Sequence, residues 1–114
     1  MKKTVERLSP AVKPVITDER YTRLFSRKES TAASLKSGAV SLRPGENIGE
    51  HSTEDKEEII IVLEGRGLLK TGNKDSYPFQ SGSALYVPPA TKHDVKNTGS
   101  KNLRYVYVTA PVCT

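Results

Sequence analysis

The chain has 114 residues and a net charge of +5 at pH 7, and this length fits one domain with its own hydrophobic core. Its 18 Lys and Arg residues are scattered, which argues against nucleic acid as a partner, and its longest aliphatic run, 59–63, is too short to cross a membrane. The basic N-terminus lacks the apolar stretch of a secretory signal, and the single Cys113 cannot form an internal disulfide, so we expect a cytoplasmic protein.

The first twenty residues are predicted to form an arm. Residues 1–17 contain Pro10 and Pro14 and show neither a helical nor a strand period. We therefore expect residues 1–20 to pack as an N-terminal arm on the domain or on a partner subunit. Residues 21–114 are then expected to form a single barrel domain.

The rest of the chain reads as short strands separated by Gly and Pro turns. β-Branched, aromatic and alternating apolar residues favour strands, and no segment is convincingly helical. Many short strands at close spacing predict an all-β barrel or sandwich. The clearest strands are predicted at 21–26, 39–42, 57–64, 83–87 and 103–109.

The predicted strand 57–64 has apolar residues on both faces. Alternation gives two sets of residues: Glu58, Ile60, Val62 and Glu64 on one face, and Glu57, Ile59, Ile61 and Leu63 on the other. The first face suits the barrel interior. The second would be adhesive if exposed, so we expect the arm or a second copy of the chain to cover it, and we predict a homodimer with twofold symmetry.

The chain has only two histidines, and each lies in its own motif. The first motif begins and ends with glycine, and the second begins with glycine and ends with asparagine. Imidazole is the commonest side-chain metal ligand, and a carboxylate beside it suits a divalent cation. A chain that places both of its histidines in such motifs is expected to build one polar site from them. The positions concerned are Gly45, His51, Glu58 and Gly65 in the first motif and Gly82, Pro88, His93 and Asn97 in the second.

This pair of motifs resembles the two signature motifs of the cupin family, with eight of ten defined positions matching. Thr53 stands where the family usually has a second His, and Ala90 where it usually has Gly. The resemblance implies an all-β double-stranded β-helix, a jelly-roll-like barrel. It also implies a metal site formed by His51, Glu58 and His93.

The third ligand and the pocket wall leave alternatives open. The resemblance to the family motif, with its spacing to Gly65, implies Glu58, although a β-bulge would exchange it with the adjacent Glu57. A neutral hydroxyl is a poor metal ligand, so Thr53 reduces the set to two His and one carboxylate. Thr53 and Tyr86 are candidates for the wall of the pocket, although simple amphipathic packing is the favoured interpretation of Tyr86.

We expect one divalent metal ion, which would be iron, manganese, nickel or zinc. Two His and one carboxylate resemble the ligand set of non-haem iron enzymes, which leaves positions open for substrate and dioxygen. If the protein is an enzyme, it would be a metal-dependent oxidoreductase that resembles a dioxygenase, or would use Lewis-acid chemistry on a small oxygen-rich or carboxylated molecule.

The main alternative is a non-enzymatic cupin module that binds or senses a small ligand without turnover. Thr53 favours this alternative, because the loss of one imidazole would weaken a metal site enough for the pocket to work empty. A third alternative is a degenerate cupin with a role in assembly alone. Both of these functions need a small molecule or a second subunit as partner, and neither needs nucleic acid.

Overall fold

Antiparallel strands joined by Gly- and Pro-containing turns make up the protein in a computed structural model that describes residues 8–112. The predicted all-β class is confirmed. No helix is present in this range, and so none of its segments is a helix that could cross a membrane. The strands are β1 (Tyr21–Ser26), β2 (Lys36–Leu42), β3 (His51–Ser52), β4 (Lys56–Glu64), β5 (Arg66–Thr71), β6 (Ser76–Gln80), β7 (Ala84–Val87), β8 (Lys92–Asn97) and β9 (Leu103–Pro111).

The strands form two sheets around one core. One sheet has five strands in the order β1-β2-β9-β4-β7, and the other has four in the order β3-β8-β5-β6. Both sheets contribute buried side chains to the same cluster, so their inner faces pack against each other. The cluster comprises Val40, Leu42, Ile60, Val62, Leu69, Phe79, Val87, Val95, Leu103 and Tyr105.

Strand β4 corresponds to the predicted strand 57–64 and lies between β9 and β7. Ile60 and Val62 are 1% and 2% exposed, as their alternation with Glu58 predicts for an interior face. Burial of such aliphatic side chains stabilises the fold by about 1.5–3 kcal/mol each. This strand therefore carries a polar end and an apolar end on one inward face.

The outward face of β4 is open to solvent. Ile59 and Ile61 are 47% and 41% exposed. Residues 8–20 do not cover them, because this segment lies near β1: Lys13 Nζ donates to the Leu24 carbonyl at 2.7 Å, and the Thr17 and Thr22 hydroxyls lie 2.8 Å apart. The described part of the arm, residues 8–20, thus leaves the apolar outer face of β4 uncovered.

Four of the nine strands, β3, β5, β6 and β8, fall outside the five predicted strands, and two of them could not be read from alternation. Strand β6 contains Pro78, which cannot donate a ladder hydrogen bond, and β6 lies at the edge of its sheet, where proline is tolerated. Strand β3 has only two residues, too few for any alternation to be read. Its place is fixed instead by pairing with β8.

Candidate metal site

The two sheets bring His51, Glu58 and His93 together. His51 on β3 lies directly opposite His93 on β8, and Glu58 comes from β4 of the other sheet. The two imidazole rings have centroids 4.3 Å apart. One ligand atom from each of the three residues lies within 4.8 Å of the other two. The three predicted ligands thus form one cluster between the sheets.

Both histidines have the same supporting hydrogen bond. His51 Nδ1 lies 2.9 Å from the Gly49 carbonyl, and His93 Nδ1 lies 3.0 Å from the Thr91 carbonyl, in each case two residues earlier. A carbonyl oxygen only accepts, so each Nδ1 carries the hydrogen. This fixes the tautomer and leaves each Nε2 as the free ligand atom, which is the usual arrangement around metal-bound histidine.

His93 and Glu58 are bound to each other inside the protein. His93 Nε2 lies 2.8 Å from Glu58 Oε1, and the two residues are 1% and 6% exposed. Since Nδ1 already carries a hydrogen, this contact requires a proton between Nε2 and the carboxylate. A divalent cation would take the place of that proton, and the same two atoms would then be its ligands. The donor set therefore fits a metal ion.

The environment of His93 favours its charged form. Burial by itself would lower the pKa of His93, but the hydrogen bond to Glu58 raises it. The bond to the Thr91 carbonyl and the charges of Glu58 and Asp94 act in the same direction, and the pKa lies above the ordinary value of 6.5.

The adjacent Glu57 points away from the cluster. The pairing of β4 with β9 is regular at both glutamates, so no bulge exchanges them. Glu58 is buried, whereas Glu57 is exposed and its Oε1 accepts a hydrogen bond of 2.8 Å from the Tyr86 hydroxyl. Tyr86, a candidate for the pocket wall, is itself 55% exposed and pairs with Ile59 on the outer face, away from the metal site.

Thr53 lines the cavity and also ties two loops together. Its side chain is buried, and its hydroxyl donates to the Pro88 carbonyl at 2.6 Å and accepts from the Thr91 N–H at 3.1 Å. The hydroxyl proton is thus used by the backbone. Thr53 joins the approach to β4 to the approach to β8, and it holds Thr91 in the place where its carbonyl supports His93.

Ala90 occupies a backbone conformation that favours glycine. Its φ is +53°, in the left-handed region, and its N–H donates to the Glu54 carbonyl at 2.8 Å. The usual family residue here, glycine, adopts this conformation without steric cost. The chain keeps the turn geometry of the second motif despite the substitution.

Asp94 is a supporting residue that the sequence did not reveal. Its Oδ1 accepts from the Gly49 N–H at 2.9 Å, and its Oδ2 accepts from Asn47 Nδ2 at 2.8 Å. One carboxylate on β8 therefore fixes the loop that leads to His51. The only local signal is its position beside His93, because its two partners are more than forty residues away in the chain.

The cluster opens into a cavity of about 370 Å³ with an aromatic wall. Three tyrosines, Tyr21, Tyr105 and Tyr107, line it. Burial is the largest cause that raises the pKa of Tyr105 and of Tyr107 far above the ordinary value, so both hydroxyls stay protonated. They can donate hydrogen bonds to a ligand, and they do not serve as bases near neutral pH.

A larger cavity of about 700 Å³ lies elsewhere, beside β7, with Leu69, Tyr77, Leu85 and Lys92 in its wall. It contains no His, Asp or Glu among its described lining residues. Volume alone would favour this larger cavity, whereas the presence of His and Glu side chains favours the smaller one. We take the smaller cavity as the candidate site because all three candidate ligands line it.

The fold and this site are those of a cupin. The family model for the cupin domain matches residues 38–109, and the chain belongs to this family. It is also similar to a solved RmlC-like cupin with a double-stranded β-helix fold from Methanocaldococcus jannaschii, with a TM-score of 0.75 and 20% identity over 90% of this chain and 91% of that one. The predicted family and double-stranded β-helix are confirmed.

Curated relatives share the domain within longer proteins. The chain is 32% identical over 75 residues to the polyketide synthase CurC of Streptomyces cyaneus, which covers 66% of this chain and 48% of that protein. It is 30% identical over 69 residues to the oxalate-binding protein of Thermotoga maritima, which covers 60% and 56% respectively. The matches thus span about half the length of these relatives.

Proposed function

We propose that the protein is a metal-binding cupin in which His51, Glu58 and His93 hold one divalent metal ion. The observation that carries the proposal is the convergence of three ligand atoms within 4.8 Å, two of them imidazole nitrogens whose tautomer is already fixed. Iron, manganese, nickel and zinc all accept such a set. Three protein ligands leave coordination positions for a small oxygen-rich or carboxylated molecule.

A metal in this site would supply a Lewis acid or a place for dioxygen, as in a dioxygenase-like oxidoreductase. The side chains of the chain itself would bind and orient the ligand. Tyr105 and Tyr107 are protonated donors, and the Thr53 hydroxyl is occupied by backbone. Glu54 is the one further carboxylate among the described cavity residues, and it is exposed, so binding of an oxygen-rich molecule suits this cavity better than a reaction that needs a buried proton acceptor.

The adjacent glutamates provide a matched test of the metal site. Metal content would be measured by inductively coupled plasma mass spectrometry on untagged wild type, Glu58→Ala and Glu57→Ala. We expect about one equivalent of metal in the wild type and in Glu57→Ala, since Glu57 is exposed and points outward. Glu58→Ala should lose it. Equal metal content in both variants, or none in the wild type after loading, would contradict the proposal.

The second candidate function is a binding module without turnover. The engaged hydroxyl of Thr53 and the protonated tyrosines favour it, because the one carboxylate besides Glu58 among the described cavity residues is Glu54, which is exposed. Likeness to a protein named as oxalate-binding supports it as well. Ligand affinity measured before and after chelation separates the two functions, since a module of this kind keeps its affinity when the metal is removed.

We also propose that the protein is a cytoplasmic homodimer, with residues 1–20 as an arm outside the barrel domain of residues 21–114. The exposed Ile59 and Ile61 on the outer face of β4 support a second copy as the cover. Analytical ultracentrifugation at micromolar concentration should show a dimer for the wild type and a monomer for Ile61→Lys. A monomeric wild type would refute the dimer.

A further inference from the structure

The inner face of the five-stranded sheet carries a polar row that extends beyond the metal ligands. Strand register places Lys36 on β2 opposite Thr109 on β9, and Thr109 opposite Glu58 on β4. Residues directly opposite each other in antiparallel strands share a face. Lys36 therefore lies on the same inner face as Glu58, two strands away, and it lines the same cavity.

Between Lys36 and the deeper core lies the tyrosine wall. Tyr107 lies across Gly38, where an added Cβ would come within 2.8 Å of its ring, so the missing side chain makes room for it. The Tyr107 hydroxyl meets that of Tyr21, and the two rings are stacked with centroids 6.2 Å apart. This pair gives the cavity a rigid, flat side that ends in hydroxyl groups.

Within residues 8–112, Lys36 and Glu54 are the two cavity charges without an ion-pair partner, and Lys36 is the cation of the two. Besides the ligand Glu58, the charged residues that line it are Lys36, Lys56 and Glu54. Lys56 has a partner, because its Nζ lies 3.4 Å from Asp55 Oδ1. Within residues 8–112, Lys36 belongs to no ion pair within 4.0 Å. A cation without a partner at the mouth of a cavity favours an anionic ligand group.

We propose that the cavity binds a small dicarboxylate end to end, with one carboxylate at the His51–Glu58–His93 cluster and the other held by Lys36. The proposal rests on the proposed function for its first end, and it assigns Lys36 as the specificity-determining residue for the second. Tyr21 and Tyr107 flank the connecting chain of the ligand.

The strand spacing sets the length of the ligand. Two strand-to-strand steps separate Lys36 from Glu58, which places their Cα atoms about 10 Å apart. A ligand with adjacent carboxylates occupies one end only, whereas one with a spacer of a few carbons reaches both. Glutarate, with three methylene groups between its carboxylates, is a suitable probe. Butyrate is its comparison, since it has a similar chain with only one carboxylate.

The test is the ratio of the butyrate and glutarate dissociation constants, measured by isothermal titration calorimetry on wild type, Lys36→Met and Lys101→Met. Methionine keeps a long unbranched side chain, and Lys36 and Lys101 are both exposed, so both variants should fold. Each ratio is measured with excess Mn²⁺ and again with chelator. We expect the wild type and Lys101→Met to prefer glutarate about tenfold with Mn²⁺, and Lys36→Met to show a ratio near one.

Manganese content, determined on the same samples, separates this inference from the proposed function. A wild type that retains no manganese refutes the proposed metal site, whereas the ratio alone decides the role of Lys36. A ratio near one in the wild type under both conditions would overturn the inference. A preference that survives in Lys36→Met, or one that disappears equally in Lys101→Met, would overturn it as well.

Discussion

The two histidines of the site are paired across two strands but differ in how the protein holds them. His93 is 1% exposed, lies in the six-residue strand β8 between β3 and β5, and is bound to Glu58. His51 is exposed and lies in β3, a two-residue strand at the edge of the same sheet. One candidate ligand therefore belongs to the core of the barrel, and the other is attached to it by a loop.

This difference separates stability from metal binding. Loss of a buried, charged hydrogen-bond partner leaves its neighbour buried and unpaired, which is costly, whereas loss of an exposed side chain costs little. Both imidazoles nevertheless belong to the same cluster, and because the backbone engages Nδ1 in each, Nε2 is the atom available to a metal. Substitution of each histidine should therefore remove the metal, while only one substitution should damage the fold.

His93→Ala is expected to have the largest effect. It leaves Glu58 buried without its partner, and it opens a cavity in a fully enclosed position. Removal of one member of a buried pair costs about 3–5 kcal/mol. Urea denaturation of the metal-free protein should show a loss of this size. A change below about 1 kcal/mol would show that the pair is not part of the core.

His51→Ala should leave the fold of the metal-free protein nearly unchanged. An exposed substitution away from the core changes the free energy of unfolding by about 0.5 kcal/mol or less. Its metal content should nevertheless fall as far as in His93→Ala, which the same mass-spectrometric measurement checks. If His51→Ala retains its metal, then His51 is not a ligand and the comparison of the two histidines fails.

The sequence could predict the features of the site that depend on local pattern, but not those that depend on how strands pair. The motif spacing was sufficient for the family, the fold and the inward direction of Glu58, since strand alternation is a local property. The residues that line the cavity could not be predicted from local alternation. Tyr105 and Tyr107 face the site only because β9 pairs with β4 in one register, and register is a property of the folded sheet.

Loop contacts were hidden for the same reason. Asp94 could be read only as a neighbour of His93, whereas its function depends on the Gly49 and Asn47 donors from the first motif. Tyr86 was a candidate for the pocket because the alternation of β7 does not say which face is inward. Sequence thus predicts the residues that a motif names, and packing determines which other side chains surround them.

The pH dependence should run in opposite directions for stability and for metal binding. The pKa of His93 is raised above 6.5, so the stabilisation from its protonated pair with Glu58 is complete below about pH 6.5. It is lost as the pH rises through the raised pKa. Metal must displace the same proton, so its affinity should fall about tenfold for each pH unit below that pKa.

Two measurements check how the stability and the metal affinity of the wild type change with pH. Urea denaturation of the metal-free protein between pH 5.5 and 8.5 should show stability that decreases toward high pH relative to Glu58→Gln, in which the carboxylate is absent. Calorimetric titration with Mn²⁺ over the same range should show affinity that increases. Parallel slopes would contradict a shared proton at the metal position.

Asp94→Asn should produce the smallest effect, and it acts on the His51 side of the comparison. The carboxylate accepts two hydrogen bonds from the loop before His51, and an amide can accept only with its single oxygen, so one of the two is lost. We expect about 1 kcal/mol or less of lost stability. Metal affinity should fall about tenfold, because a loosened loop holds its ligand less well.

Asp75→Asn, in the exposed hairpin turn between β5 and β6, is a control that should change neither quantity. Loss of stability as large as in His93→Ala would instead place Asp94 with the core, and the two halves of the site would then not be separable.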